Sequence, residues 1–221
     1  MQPPPEKRKA LIVVRTYPTP ARKGVEVSCT AAITEKGEWM RLFPIPYRYL
    51  DEKEKFSKYQ WVEVTVRKAK DTRPESYSLL PGAEIKILEP PLSTKNAWRA
   101  RKNIITPLIA HCLCCLRAAR DAHGHPTLGI FRPKRIKRLV IDPDDAAWTP
   151  AQLAILRQEH LFEKKPEKEL EKVPFSFRYE FECDHDTCPT HTIICTDWEM
   201  GQSWRALSRL PLNDDGGGIR F

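Results

Sequence analysis

The chain reads as an α+β protein, and three observations predict it. Short apolar-polar alternations broken by turns fill residues 9–92. A basic stretch with helical periodicity follows over 93–162. After a charged linker at 163–173, a Phe-rich alternating strand at 174–221 runs into a Cys/His loop and a last helix.

Residues 1–8 are polar and proline-rich and read as a flexible lead-in. Lys9–Arg15 is rich in β-branched residues and reads as a buried strand, ended by Pro18 and Pro20. Val25–Ile33 and Trp39–Phe43 form a hairpin around Gly37. In Tyr59–Arg67, Val62, Val64 and Val66 face one way, and Trp61, Glu63, Thr65 and Arg67 the other. Gly82–Leu88 supplies another strand. Together these predict a small β-barrel-like region, OB-like or PUA-like by analogy of fold.

Ser93 or Thr94 caps a helix through Trp98, Arg101 and Lys102. Pro107 suits the first turn of a second helix, Leu108 to about Ala122, closed by Gly124. Leu128–Phe131 and Arg138–Asp142 return to strand. Thr149–Gln152 is a capping box that opens a helix to about Leu161. Phe175, Phe177, Tyr179 and Phe181 share one face of a strand whose hairpin partner is Thr192–Thr196. Asp197 caps a helix through Trp204 and Leu207, and Pro211 with Gly216–Gly218 ends order.

No apolar run approaches the roughly 20 residues a membrane helix needs, and Ala10–Val14 is too short for a signal-peptide core. The expectation is a cytoplasmic protein without a membrane partner, its seven cysteines held as thiols or metal ligands. Of the net charge of +8, the segment Lys95–Arg138 accounts for more than all: eleven cations against Asp121 alone. Such a concentration suggests a polyanion, DNA or RNA.

The strongest chemical signal is Cys183-Asp-His-Asp-Thr-Cys188-Pro-Thr-His191. Thiolate and imidazole are the ligands zinc prefers, and structural sites are closed tetrahedra. Cys183, Cys188 and His191 are three candidates, with His185 as the local fourth. Cys195 lies four residues beyond His191 on an expected strand, about 13 Å away. Cys29 or the cluster His111-Cys112-Leu113-Cys114-Cys115 stays open as a source of the fourth ligand. That cluster sits in an apolar helical pattern, where free cysteine packs as a small hydrophobe, and core packing is the preferred reading.

Arg132, Lys134, Arg135, Lys137 and Arg138 form one basic run, and Arg99, Arg101 and Lys102 surround Trp98. Arg15, Arg41 beside Trp39, and Arg73 place arginines near aromatics or turns in the β-region, a pattern suited to stacking bases and holding phosphates. Pairing with Glu38, Glu63 or Glu75 is the plain alternative for these arginines. For catalysis, His191, Asp197, Glu199 and Gln202 are available, without a phosphate loop, nucleophile elbow or zinc-protease pair.

Arg15-Thr-Tyr-Pro18, Trp39-x-Arg41-Leu-x-Pro44-x-Pro46, Arg73-Pro-Glu-Ser76, the Cys-x4-Cys-x2-His loop and Asp197-Trp198-Glu199 together resemble a family of uncharacterised bacterial proteins. The resemblance spans much of the chain and implies a shared architecture without an activity. Similar proteins continue past the point where this chain ends, which leaves open a further C-terminal part. The leading expectation is a nucleic-acid-binding protein with structural zinc. A metal-dependent nuclease or other processing enzyme is the alternative, and an adaptor whose basic face meets an acidic protein is the second. The sequence does not choose between enzyme and binder, and it sets no oligomeric state.

Overall fold

Alternating valines on one strand and small residues on its neighbour close the first part of the chain into a ring. The computed structural model describes residues 3–22, 24–122, 124, 126–157, 166, 168–185 and 187–208. The strands in chain order are β1 (Glu6–Arg15), β2 (Thr19–Ala21), β3 (Gly24–Thr34), β4 (Trp39–Ile45), β5 (Trp61–Lys68), β6 (Ser76–Leu79) and β7 (Lys86–Ile87). β1 pairs with β3, β3 with β4, β4 with β6, β6 with β5, and β5 with β1, so five strands form a closed barrel. Only the β4–β6 pairing is parallel, and β2 and β7 lie outside the ring on β3 and β5.

Val62, Val64 and Val66 point into this barrel, against Ala10, Ile12, Ala32, Met40 and Leu42. A barrel of so few strands has a narrow interior, and the alanines of β1 and β3 leave room for the larger chains opposite. Phe56 and Ile85 plug it from the connecting segments. The outward positions Trp61, Glu63 and Thr65 are half-buried. At the β3–β4 turn Gly37 adopts φ +77°, a conformation that favours glycine.

The rest of the chain forms α1 (Lys95–Ile105), β8 (Ile109–Ala110), α2 (Leu113–Ala122), β9 (Ile130–Phe131), β10 (Pro133–Pro143), α3 (Pro150–Leu156), β11 (Phe175–Cys183), β12 (His191–Cys195) and α4 (Trp198–Ser208). β10, β11 and β12 make an antiparallel sheet, and β8 and β9 a short parallel pair. Thr149 and Gln152 form the capping box that the sequence indicates.

Two differences from the sequence reading bear on the site. The helix expected from Leu108 begins only at Leu113, because Ile109 and Ala110 leave helical geometry to pair with Ile130 and Phe131. The basic run after Pro133 is strand throughout, since it pairs along β11. β1 begins at Glu6, inside the expected lead-in. Residues 163–165 and 167 of the charged linker and the tail from 209 onward lie outside the described residues.

The barrel and the C-terminal elements are tied at several points. Tyr17 N–H donates to the Thr196 carbonyl at 2.8 Å, and Thr16 bridges Asp197. Lys58 pairs with Asp197 at 2.6 Å and Glu199 at 2.8 Å. On another side, buried Glu75 accepts from the Thr127 N–H at 2.7 Å and its hydroxyl at 2.6 Å.

Candidate metal centre and basic surfaces

Strand β11 carries the chain to Cys183, and a turn closed by Cys188 N–H donating to the His185 carbonyl at 2.9 Å brings it back to His191. The late start of α2 sets Cys112 and Cys114 against this turn. The ligand atoms of Cys114, Cys188 and His191 all lie within 4.8 Å of one another, a group that can hold a metal ion. Cys114 Sγ is 3.5 Å from His191 Nε2. A sulfur and a nitrogen bound to one tetrahedral zinc stand about 3.5 Å apart, given the usual bond lengths.

His191 is buried and the two thiols are half-buried. Burial, with Arg117 nearby, lowers the His191 pKa and favours the neutral imidazole that ligates metal. Burial, reinforced by hydrogen bonds to Cys112 and Cys114, pushes the Cys188 thiol up to about 12. The hydrogen bond from Cys115, whose sulfur lies 2.8 Å away, holds Cys112 below the usual thiol range. Crowded thiols therefore oppose one another's ionisation, and a bound divalent cation would reverse that balance.

Of the four residues the sequence nominated, Cys188 and His191 enter this group. Cys183 is buried in the apolar cluster with Cys112, Leu113 and Phe181. His185 packs edge-on against His111, with ring centroids 5.3 Å apart, and its Nδ1 contacts Thr187 Oγ1 at 2.8 Å. Cys114 comes from the cluster that the sequence left open as a source of the fourth ligand while favouring core packing for it. An apolar helical pattern argued for core packing, which Leu113 fulfils, while Cys114 turns toward Cys188 and His191 and Cys112 hydrogen-bonds with Cys188. The signal was the spacing of Cys112, Cys114 and Cys115 around a helix start.

The basic run meets acids across the sheet. Arg135 pairs with Glu182 at 3.3 Å, Lys137 with Glu182 at 3.3 Å, Arg138 with Glu180 at 2.8 Å and Lys134 with Asp184 at 3.9 Å. These cations are exposed, so each pair contributes little to stability, but together they offset much of the local field. A different surface keeps its charge. Lys95, Arg99 and Lys102 on α1 and Arg132 before β10 are exposed, with no ion pair among the described residues. Trp98, 53% exposed, stands among the α1 cations on a left-handed backbone, φ +65°. Arg101 is turned inward: it stacks on Tyr59 at 4.4 Å and donates to the Leu92 carbonyl at 2.9 Å.

In the barrel, Arg41 and Arg73 are both engaged by Asp71, at 3.8 and 2.9 Å. Trp39 and Arg41 share the outer face of β4, opposite the buried Met40 and Leu42. Arg15 is buried between Tyr47 and Trp198. Asp197, considered above for catalysis, accepts from the Glu199 N–H at 3.0 Å and so caps α4.

These features define the class: an α+β protein with a closed five-stranded barrel followed by a sheet-and-helix unit that carries a Cys/His cluster. Residues 6–107 match a domain of unknown function, DUF8758, and residues 110–214 match a second, DUF8757. No curated protein and no solved structure matches the chain. Among the described residues no helix is long and apolar enough to cross a membrane.

Proposed function

We propose that the protein binds nucleic acid through α1 and carries a structural zinc ion. The observation that carries the binding reading is exposed Trp98 among Lys95, Arg99 and Lys102, cations free of ion pairs among the described residues. An exposed indole offers a ring face to any base, and unpaired cations offer charge to the backbone. The closed barrel is in keeping with an OB-like or PUA-like architecture, which is support by analogy of fold alone.

Zinc is the metal that a thiolate-imidazole set favours. Cys112 supplies the fourth ligand in this reading, because its thiol already hydrogen-bonds with Cys188 beside the other three groups. Four protein ligands leave no open position for a metal-bound water, which sets this reading apart from a metal-dependent nuclease.

Fluorescence anisotropy with single-stranded DNA and RNA tests the reading, with elemental analysis of the same protein. Trp98→Ala is expected to weaken binding by about 5- to 100-fold. Arg99→Gln with Lys102→Gln is expected to reduce the salt slope by about 1.4 on single strands. Absence of binding to either nucleic acid defeats the proposal and favours the adaptor. Protein purified without zinc defeats the metal reading.

A further inference from the structure

Arg15 has a guanidinium nitrogen, Nη1, enclosed without a hydrogen-bonding partner among the described residues. Arg15, at the end of β1, is 9% exposed. Its guanidinium carbon lies 3.4 Å from the Tyr47 ring centroid and 4.4 Å from that of Trp198. Two aromatic rings thus lie against the guanidinium. Its donors lie in the plane of the group, and Nη1 is fully enclosed with no acceptor. Asp197 is near enough to act on Arg15 through its charge but makes no hydrogen bond to it. A buried guanidinium nitrogen without an acceptor is costly, and few buried polar groups go without a partner.

The same side chain lines a cavity of about 240 Å³ between the barrel and α4, with Tyr47, Ser57, Lys58, Trp198 and Glu199 in its walls. That is room for a compact ligand, well beyond the space one water requires. Lys58 brings a second cation, currently shared between Asp197 and Glu199. The four ionised groups around the cavity cancel, so an entering anion would shift the balance by drawing Lys58 from its partners. Glu199 is the looser partner, because its side chain is 65% exposed, against 26% for Asp197.

We propose that this cavity binds a small oxyanion, a carboxylate or phosphate group, through the Arg15 guanidinium with Lys58 as the second contact. Arginine's fork matches either group. Tyr47 and Trp198 hold the fork in place and keep water from it. The site is independent of the metal centre and of the α1 surface, and it joins residues from both matched domains.

Calorimetric titration with inorganic phosphate, and separately with acetate, at ionic strength fixed by chloride tests this. Saturable binding of at least one anion is expected, and the stronger of the two identifies the source chemistry. Arg15→Lys keeps the charge but loses the fork, and should weaken binding at least tenfold. Glu199→Gln, an exposed change, should tighten binding about three- to tenfold by freeing Lys58 and removing a negative charge from the wall. If Arg15→Lys does not fold, Glu199→Gln decides alone. No saturable heat with either anion in wild type and Glu199→Gln overturns the proposal. So does an affinity unchanged by Glu199→Gln, or by a folded Arg15→Lys.

Discussion

Replacing Arg15 by methionine should make the ligand-free protein more stable. Burial, only partly offset by nearby Asp197, lowers the Arg15 pKa well below the ordinary arginine value, to about 10. That fall corresponds to about 3 kcal/mol against the charged form in the folded state. For a base with a depressed folded pKa, the cost is full below about pH 10 and is relieved only as pH rises above that toward the unfolded value. At pH 7 the whole cost is therefore present. Against it stand two cation–π contacts with Tyr47 and Trp198, each worth up to about 2 kcal/mol when desolvated. Methionine recovers about 0.3–1.5 kcal/mol per ring through sulfur–aromatic contact and fills similar length. The balance favours Arg15→Met by about 1 kcal/mol, a rise in Tm of about 2–4 °C for a chain of this size. Urea unfolding at pH 7 and thermal melts measure it. A fall in Tm of more than about 4 °C refutes the reasoning, because it means that the stacked cation stabilises the fold more than its burial costs.

On the zinc reading, Cys114→Ser should abolish metal content and lower stability, whereas Cys183→Ser should leave metal content intact and cost only core packing; elemental analysis with melting curves separates the two. Metal retention at equilibrium should fall as the pH drops below neutral, since protons compete for His191 and the thiolates, and a chromogenic chelator follows the release. Gly201→Ala should destabilise by about 1–3 kcal/mol, because its Cβ would sit 2.7 Å from Tyr17 Cδ2 in the seam between barrel and α4. Thr127→Val leaves buried Glu75 with one donor fewer and should cost about 1–3 kcal/mol, read from urea midpoints.

What was legible in the sequence was local. Val62, Val64 and Val66 announced an inward face by period alone, and Gly37, Thr149 and Asp197 announced a turn and two caps. Cys188 and His191 were readable because only two residues stand between them and their ligand atoms meet across one turn. Cys114 was not, because its role depends on α2 starting late, and that follows from Ile109 pairing with Ile130 twenty residues on. Charge was misleading for the same reason. A count along Lys95–Arg138 does not contain Glu180 and Glu182, which β11 brings opposite Arg138 and Arg135. The fate of Arg15 was equally hidden, since Trp198 reaches it from the far end of the chain.

The spacing of the metal group along the chain sets an order of assembly. Every barrel strand has been translated once β6 ends at Leu79, so the ring can close early. Cys112, Cys114 and Cys115 emerge soon after, but His191 lies some seventy-five residues further on. At about 5–20 residues per second, ribosomal synthesis takes about 4–15 s to cover that distance. Throughout that interval the nascent chain displays a cluster of thiols without the imidazole that packs against them in the fold. Oxidation of these thiols therefore competes with the native closure of the Cys/His group each time a molecule is made.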